Sequence, residues 1–296
     1  MVATAPALPP SAVTYSPRGA ALNLMYERAP EVLIEGPAGT GKTRGVLTKI
    51  HLCLAKYPRS RWLLARKTRE SLTESALVEF EKSVLVGKAA KIAQGPDRAR
   101  RQRYTYPNGS ELVVGGLDKS SKIMSTQYDG IYVPECTELS EPDWEDLSTR
   151  NRNGVMPYQQ MIADANPGPP THWLNQRAER GGMVRLLSRH KDNPRYWDDI
   201  RGVWTPEGER YVQGTLARLG GVRRARLYEG RWAAAEGIVY DGWDAAIHLI
   251  DRFPIPAEWR RFRVVDFGFT NPFVCQWWAL DGDGRMYRYR EIYRTQ

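Results

Sequence analysis

A chain of 296 residues, 42% hydrophobic and 26% charged, has the make-up of a folded protein with room for one large domain or two modest ones. Its formal charge of +9, carried mostly by arginine, favours a polyanionic partner, most commonly nucleic acid. Three widely spaced cysteines point away from a disulfide framework and suit a reducing cytosol, the four histidines lack HxxxH or HExxH spacing, and no apolar run reaches membrane-spanning length.

The opening MVATAPALPPSAVTYSPRG lacks the charged start and apolar middle of a signal peptide and reads as a flexible arm over 1–20. ALNLMYERAP suggests a short helix, and EVLIEG a buried parallel strand running straight into Gly and Pro. TRGVLTKIHLCLAKYP has apolar residues at helical spacing until Pro58 stops it. WLLARKT is a second strand, and SLTESALVEFEKSVL a helix opened by Ser71 and Glu74 at capping-box spacing. YTYPNGSELVVGGL predicts a hairpin, because Asn108-Gly109 supplies the positive φ of a tight turn. Then come the strand GIYVPE, a helix around EPDWEDLSTR, and the strand QMIADANPGPP. Strands alternating with helices predict an α/β domain with a mainly parallel sheet over 21–166.

From 167 to 250 the strand signal thins, which predicts a smaller α-rich lid, and DRFPIPAEWR at 251–260 has the Pro-rich character of a linker. Over 261–296, RFRVVDFG, FVCQWWALD and RMYRYREIY read as strands of a further domain, with hairpin chemistry at Asp281-Gly282-Asp283-Gly284. Its first strand is expected to be buried and to end in an exposed acid, Asp266. Arginines cluster at Arg98, Arg100, Arg101 and Arg103, at Arg223, Arg224 and Arg226, and at Arg260, Arg261 and Arg263. They are either a nucleic-acid surface or solvated faces.

GPAGTGKT matches GxxxxGK followed by Ser or Thr, between a strand and a helix as that phosphate-binding motif requires. Gly36, Pro37, Ala38, Gly39, Thr40, Gly41, Lys42 and Thr43 would form the ATP cradle, with backbone N–H groups turned to phosphate oxygens. Lys42 would reach the β- and γ-phosphates, and the Thr43 hydroxyl would ligate Mg²⁺. GIYVPE ends in Pro134 and Glu135 where Asp then Glu is usual. Glu135 thus sits where a water-activating base belongs, and the metal-holding acid is missing. Either Mg²⁺ rests on Thr43, phosphate and water with help from Glu138 or Asp129, or hydrolysis is slow. Asp164 and Asn166 end the next strand near the γ-phosphate if that strand joins the same sheet. Asn166 either senses the phosphate or simply starts a turn. Candidates for a cation acting in trans are Arg101, Arg103, Lys119 and Lys122.

From about Tyr15 to Tyr293 the chain resembles the large terminase subunits of tailed bacteriophages. The resemblance is carried by PRG, EVLIEGPAGTGKT, GLDKSSKIMSTQYDGIYVPECTEL, DANPGPPTHWL, DNPRYWDD, YEGRWAAAEGIVYDGW and VVDFGFTNP. It implies an ATP-hydrolysing, Mg²⁺-dependent motor that moves double-stranded viral DNA into a procapsid. The implied fold is a RecA-like P-loop ATPase of the additional-strand type, a small lid, and the start of an RNase H-like nuclease. Lys42 and Thr43 become the Walker A pair and Glu135 the catalytic carboxylate. Asn166 falls in the coupling motif, and Tyr15 and Arg18 fall where the family contacts adenine. The resemblance further implies a portal protein and a small terminase subunit as partners, a homo-oligomeric ring on the portal or a monomer in isolation, no membrane, and the host cytoplasm. The family's nuclease holds Mg²⁺ or Mn²⁺ with several carboxylates. Asp266 alone has a clear match, the later acids being expected beyond Gln296, so nuclease activity is not expected of this chain by itself. The competing readings are another P-loop DNA motor, such as a helicase or recombination ATPase, and a hydrolysis-weak nucleotide-binding scaffold.

Overall fold

The computed structural model describes residues 15–86, 92–93, 96–119, 123–234, 248–267 and 272–294. Packing divides the chain into one unit of Met1–Glu236 and another of Gly237–Gln296.

In the first unit, α1 (Gly19–Tyr26) leads into β1 (Glu31–Glu35), and a glycine-rich turn leads into α2 (Lys42–Lys56). β2 (Arg61–Arg66) follows, then the short helices α3 (Arg69–Thr73) and α4 (Ala76–Glu79) with a π-helical turn at Phe80–Val84. β3 (Arg103–Thr105) and β4 (Glu111–Gly116) make the expected antiparallel hairpin, with Gly109 at φ 80° in its turn. β5 (Gly130–Val133), α5 (Glu141–Ser148), β6 (Gln160–Ala165), α6 (Trp173–Glu179) and β7 (Val184–Leu187) complete the sheet and its cover. The strand order is β3-β4-β2-β5-β6-β1-β7, parallel throughout except for β3 at one edge.

The alternating side chains of these buried strands feed two cores, as a sheet covered on both faces requires. Val32, Ile34, Leu64, Tyr132 and Ile162 pack with Leu24, Leu47, Ile50 and Leu77 on the α1–α2–α4 face. Leu33, Leu63, Ile131, Val133, Met161 and Ala163 pack with Trp144, Leu147 and Leu174 on the α5–α6 face. In the middle, Trp62 of β2 is paired in register with Gly130 of β5 and fully buried. A methyl group at position 130 would lie 2.4 Å from the Trp62 ring. Gly130→Ala is expected to destabilise the chain by ~1–3 kcal/mol, as overpacking does. The check is a lower urea midpoint at unchanged slope.

Two local expectations are corrected. The helix expected to open with a Ser71–Glu74 box starts earlier, because the Arg69 N–H is capped by Asp118 Oδ1 (3.2 Å), which a distant loop delivers. Ser71 therefore sits inside α3, donating its hydroxyl to the Thr68 carbonyl (2.8 Å). A capping box forms instead at Ser140, whose Oγ accepts from Asp143 N–H (3.3 Å) while Asp143 Oδ2 accepts from Ser140 N–H (3.0 Å). The sheet also continues past residue 166, since β7 pairs with β1 within the segment that reads as a lid. The remainder of that segment carries a hairpin of β8 (Trp197–Asp198) and β9 (Val203–Trp204), then α7 (Pro206–Gly208) and α8 (Gly221–Leu227). Between those two helices the chain forms π-helical and 3₁₀ turns at Glu209–Gln213 and Leu216–Arg218.

The second unit is an antiparallel meander of β10 (Arg260–Asp266), β11 (Phe273–Leu280) and β12 (Met286–Arg294). Asp281 Oδ1 accepts from the N–H groups of Asp283 (2.9 Å) and Arg285 (2.8 Å) and so closes its turn. β10 is not the buried strand expected from VVD: Val264 and Val265 are 49% and 43% exposed. Cys53, Cys136 and Cys275 are free and buried. Among the described residues no helix is long and apolar enough to cross a membrane.

Candidate functional site

The site is built where β1 ends. Gly39 and Gly41, at φ 78° and 85°, turn the chain back over the first turn of α2. Gly41 is the helix's N-terminal flanking residue, so α2 begins with its free N–H groups and positive dipole end turned into the loop. Lys42 reaches into the middle of this turn. Its Nζ donates to the carbonyls of Gly36 (3.0 Å) and Pro37 (2.8 Å), to Thr40 Oγ1 (3.4 Å) and to Asn166 Oδ1 (3.0 Å). Burial lowers the Lys42 ammonium to a pKa of about 8, against partial support from Asp164, Glu35 and Glu135. A buried cation solvated by carbonyl and amide oxygens is a site prepared for an anion.

Because β6 lies between β1 and β5, the ends of three strands converge on Thr43. The Thr43 hydroxyl donates to Asp164 Oδ2 (2.9 Å), to which the Tyr132 hydroxyl also donates (2.5 Å). Asp164 Oδ1 accepts from the backbone N–H of Glu135 (2.7 Å). Among the described residues Glu135 is one of two non-glycine residues with positive φ, at φ 50° and ψ 47°. Holding it there costs ~1–3 kcal/mol, and the Asp164 hydrogen bond is the contact that fixes it. Its carboxylate pairs with Arg66, which also takes both oxygens of Glu138 (2.8 and 2.9 Å). Burial raises the Glu135 pKa, the Arg66 cation pulls it back, and the Glu138 and Asp164 carboxylates raise it further.

A second ring of contacts, not anticipated from the sequence, braces the loop from the 167–250 segment. His190 Nε2 donates to the Ala38 carbonyl (3.0 Å), Asn193 Nδ2 donates to the Gly39 carbonyl (2.7 Å), and the Leu227 carbonyl accepts from Ala38 N–H (3.1 Å). Burial holds the His190 pKa below its ordinary value, which suits a neutral ring donating to a carbonyl. Glu35, at the tip of β1, is buried and held by Arg185 (2.8 Å) and Trp232 Nε1 (2.7 Å). DNPRYW, quoted above for the family resemblance, contains Asn193. No spacing rule assigns that asparagine to a loop 154 residues away.

The other expected residues are dispersed. Tyr15 lies beside α2, with the Arg44 guanidinium 4.5 Å from its ring centre, and Arg18 pairs with Asp199 (2.9 Å). Arg101 is buried and paired with Glu81, and Arg103 is exposed and paired with Glu111 (3.0 Å), both at the β3 edge far from Thr43. Lys119 ends a 3₁₀ turn at Leu117–Lys119, and Lys122 lies outside the described residues. Asp129, one of the two acids expected to help Mg²⁺, stands at the opposite end of β5. It accepts from the N–H groups of Arg61 (2.9 Å), Val155 (2.8 Å) and Met156 (3.0 Å), a structural role. Asp266 ends β10, opposite Val274. Among the described residues no three His, Cys, Asp or Glu side chains form a metal cluster by themselves.

A parallel sheet with a glycine loop at the end of β1, an acid on the adjacent β6 (Asp164) and another just past β5, the next strand over (Glu135), defines a RecA-like P-loop fold. Residues 30–195 match the family model of the phage terminase large subunit, and the chain belongs to that family. Solved structures agree in fold. The large terminase of a thermophilic bacteriophage is 20% identical, with a TM-score of 0.61 over 95% of this chain and 69% of that one. The ATPase domain of the Thermus phage P74-26 large terminase is 14% identical, with a TM-score of 0.51 over 74% of this chain and 95% of that domain. The HK97 bacteriophage large terminase is 10% identical, with a TM-score of 0.50 over 93% of this chain and 61% of that one. The first of these proteins, from the thermophilic phage, has been solved with ADP and with ATP-gamma-S. No curated protein sequence matches this chain.

Proposed function

We propose that this chain is an Mg²⁺-dependent ATPase that drives double-stranded viral DNA into a procapsid. The observation that carries the reading is the convergence of Lys42, Thr43, Asp164 and Glu135 at the ends of β1, β6 and β5. Lys42 would bind the β- and γ-phosphates, with the loop N–H groups around it, and Asn166 would exchange Lys42 for the γ-phosphate. Bound Mg²⁺ would supply charge neutralisation on the phosphates, and Thr43 offers it a hydroxyl. Glu135 would orient and deprotonate the attacking water, for which its carboxylate must part from Arg66. Tyr15 and Arg18 would border the adenine.

The part of 167–250 that follows β7, described over 188–234, is proposed as the lid. It already touches the loop through His190, Asn193 and Leu227, so a change of loop conformation on hydrolysis reaches it directly. DNA would be gripped by phosphates. An open cleft of about 590 Å³ at the β3–β4 edge is lined by Arg61, Arg69, Arg100 and Arg103, and Arg223, Arg260, Arg261 and Arg263 are exposed elsewhere. Arg101, Arg103, Lys119 or Lys122 would serve a neighbouring subunit in a ring mounted on a portal protein, with a small terminase subunit as further partner and the host cytoplasm as the place of work. Asp266 would be one ligand of a nuclease metal, Mg²⁺ or Mn²⁺. A two-metal pair needs further carboxylates beside it.

The test is ATP turnover measured with and without blunt double-stranded DNA, beside DNA binding at several salt concentrations. Turnover is expected to rise with DNA. Affinity is expected to fall with salt at a slope of roughly −0.9 per phosphate contacted, whatever the sequence. No binding and no stimulation would remove the DNA motor, and nucleotide bound without turnover would leave a nucleotide-binding scaffold. Separation of the strands would favour a helicase.

A further inference from the structure

Pro134 stands at the end of β5, where a P-loop site is expected to have its metal-holding acid, and it has no oxygen on its side chain to offer. We propose that the acid has moved sideways, and that Asp164 on β6 is the carboxylate that holds the nucleotide's Mg²⁺. The inference rests on the ATPase reading above and assigns that site's ion to a residue on a different strand.

The register shows how the exchange works. β5 and β6 pair in parallel with Tyr132 beside Ile162 and Val133 beside Ala163. One residue further, Pro134 comes level with Asp164. Neighbours in a parallel pair point to the same face and lie about 4.8 Å apart. A carboxylate lost from β5 can therefore be supplied from β6 at the same height and on the same side, the side of α2. On its other flank Asp164 is paired with Ile34 of β1, one residue before Glu35 and the cradle.

The contacts of Asp164 fit this task. Its Oδ2 accepts from Thr43 Oγ1 at 2.9 Å, the hydroxyl that the P-loop motif gives to Mg²⁺. The Tyr132 hydroxyl donates to the same oxygen and orients the carboxylate. Oδ1 holds the Glu135 backbone, so the ion's ligand and the candidate base are set relative to each other by one side chain. Asp164 is 3% exposed. At this depth its oxygens are bonded to two hydroxyls and an amide rather than to a guanidinium or ammonium, so no ion pair has to break for a cation to take its place beside them. Mg²⁺ in phosphate sites needs only one or two carboxylates, the rest of its shell being phosphate oxygens and water. The rival acids are placed elsewhere: Glu138 has both oxygens on Arg66, and Asp129 is at the far end of β5.

Calorimetric titration of the whole chain with ADP, once with excess Mg²⁺ and once with EDTA, tests the assignment. The unaltered chain is expected to bind ADP more tightly with Mg²⁺. With each chain compared to its own affinity in EDTA, Asp164→Asn is expected to lose ~10- to 100-fold of the affinity gained with Mg²⁺, while Glu138→Gln keeps that gain. An Asp164→Asn chain with its full Mg²⁺ gain overturns the proposal and leaves the ATPase reading standing. So does an unaltered chain indifferent to Mg²⁺. An unaltered chain that binds no ADP overturns both. If Asp164→Asn does not fold, the unaltered chain with Mn²⁺ and ADP, isotope-labelled at its aspartate carboxylates, answers the same question. Electron–nuclear coupling to one aspartate supports the assignment, and its absence overturns it.

Discussion

Glu135→Gln is expected to bind nucleotide as the unaltered chain does and to hydrolyse ATP ~10²- to 10⁴-fold more slowly, the contribution of a positioned general base. Glutamine keeps the volume and can still accept from Arg66, and the left-handed backbone at φ 50° is held by Asp164 through the main chain, which the substitution leaves alone. The loop, Lys42 and Thr43 therefore stay in place, and the loss falls on the chemical step. Phosphate release beside ADP binding separates the two. Turnover within a few-fold of the unaltered chain would move the base elsewhere. The raised pKa of Glu135 has a signed consequence for the unaltered chain. The base form is lost as pH falls through a value above the ordinary glutamate range near ~4.3, so the acid limb of the rate profile should sit higher than that. It should be absent from the residual rate of Glu135→Gln.

Lys42→Met is expected to lower turnover by at least ~10²- to 10³-fold, the scale of removing one preorganised donor from developing charge. Unlike Glu135→Gln, it should weaken ADP binding as well. Its second effect is on protons. In the unliganded chain burial brings Lys42 down to about 8 from 10.5, so at pH 8 about half the molecules carry it neutral. Phosphate oxygens beside the ammonium favour the charged form, so binding restores the proton. Well below pH 8 the lysine is charged before and after binding, and it contributes no pH dependence. Above pH 8 a proton must be taken up, and affinity falls by up to ~10-fold per unit until the lysine of the complex also titrates. Calorimetry in two buffers of different ionisation enthalpy at pH 8 should show an uptake of ~0.5 proton per ADP, missing in Lys42→Met. An equal uptake in both would place the titrating group elsewhere, Lys49 being a second lysine lowered to about 8.

What the sequence conveyed best was local. Gly41, Lys42 and Thr43 lie within one strand–loop–helix unit whose geometry depends on neighbours a few residues apart, so pattern and spacing suffice to find it. The hairpin at Asn108-Gly109 and the buried strands EVLIE and QMIADA were legible for the same reason. The strand β7 was not: it has four residues, an arginine among them, and lies at the sheet's edge with Val184 and Leu187 exposed, so it carries neither alternation nor a continuous apolar run. The first helix after β2 was misplaced because its cap, Asp118, comes from 49 residues away and competes with the local Ser71 pattern.

Read alone, then, the sequence yields the phosphate loop, the mainly parallel α/β class and Glu135 as the acid at the end of β5, all of them products of short-range backbone preference and hydrophobic period. Which carboxylate meets Thr43 is settled in three dimensions alone. It depends on β6 being inserted between β5 and β1, and its pairing with β1 joins segments over a hundred residues apart that no local spacing encodes. Lateral order brings Asp164 to the place Pro134 leaves empty of charge, and it turns Glu138 to Arg66 and Asp129 to the opposite end of the strand.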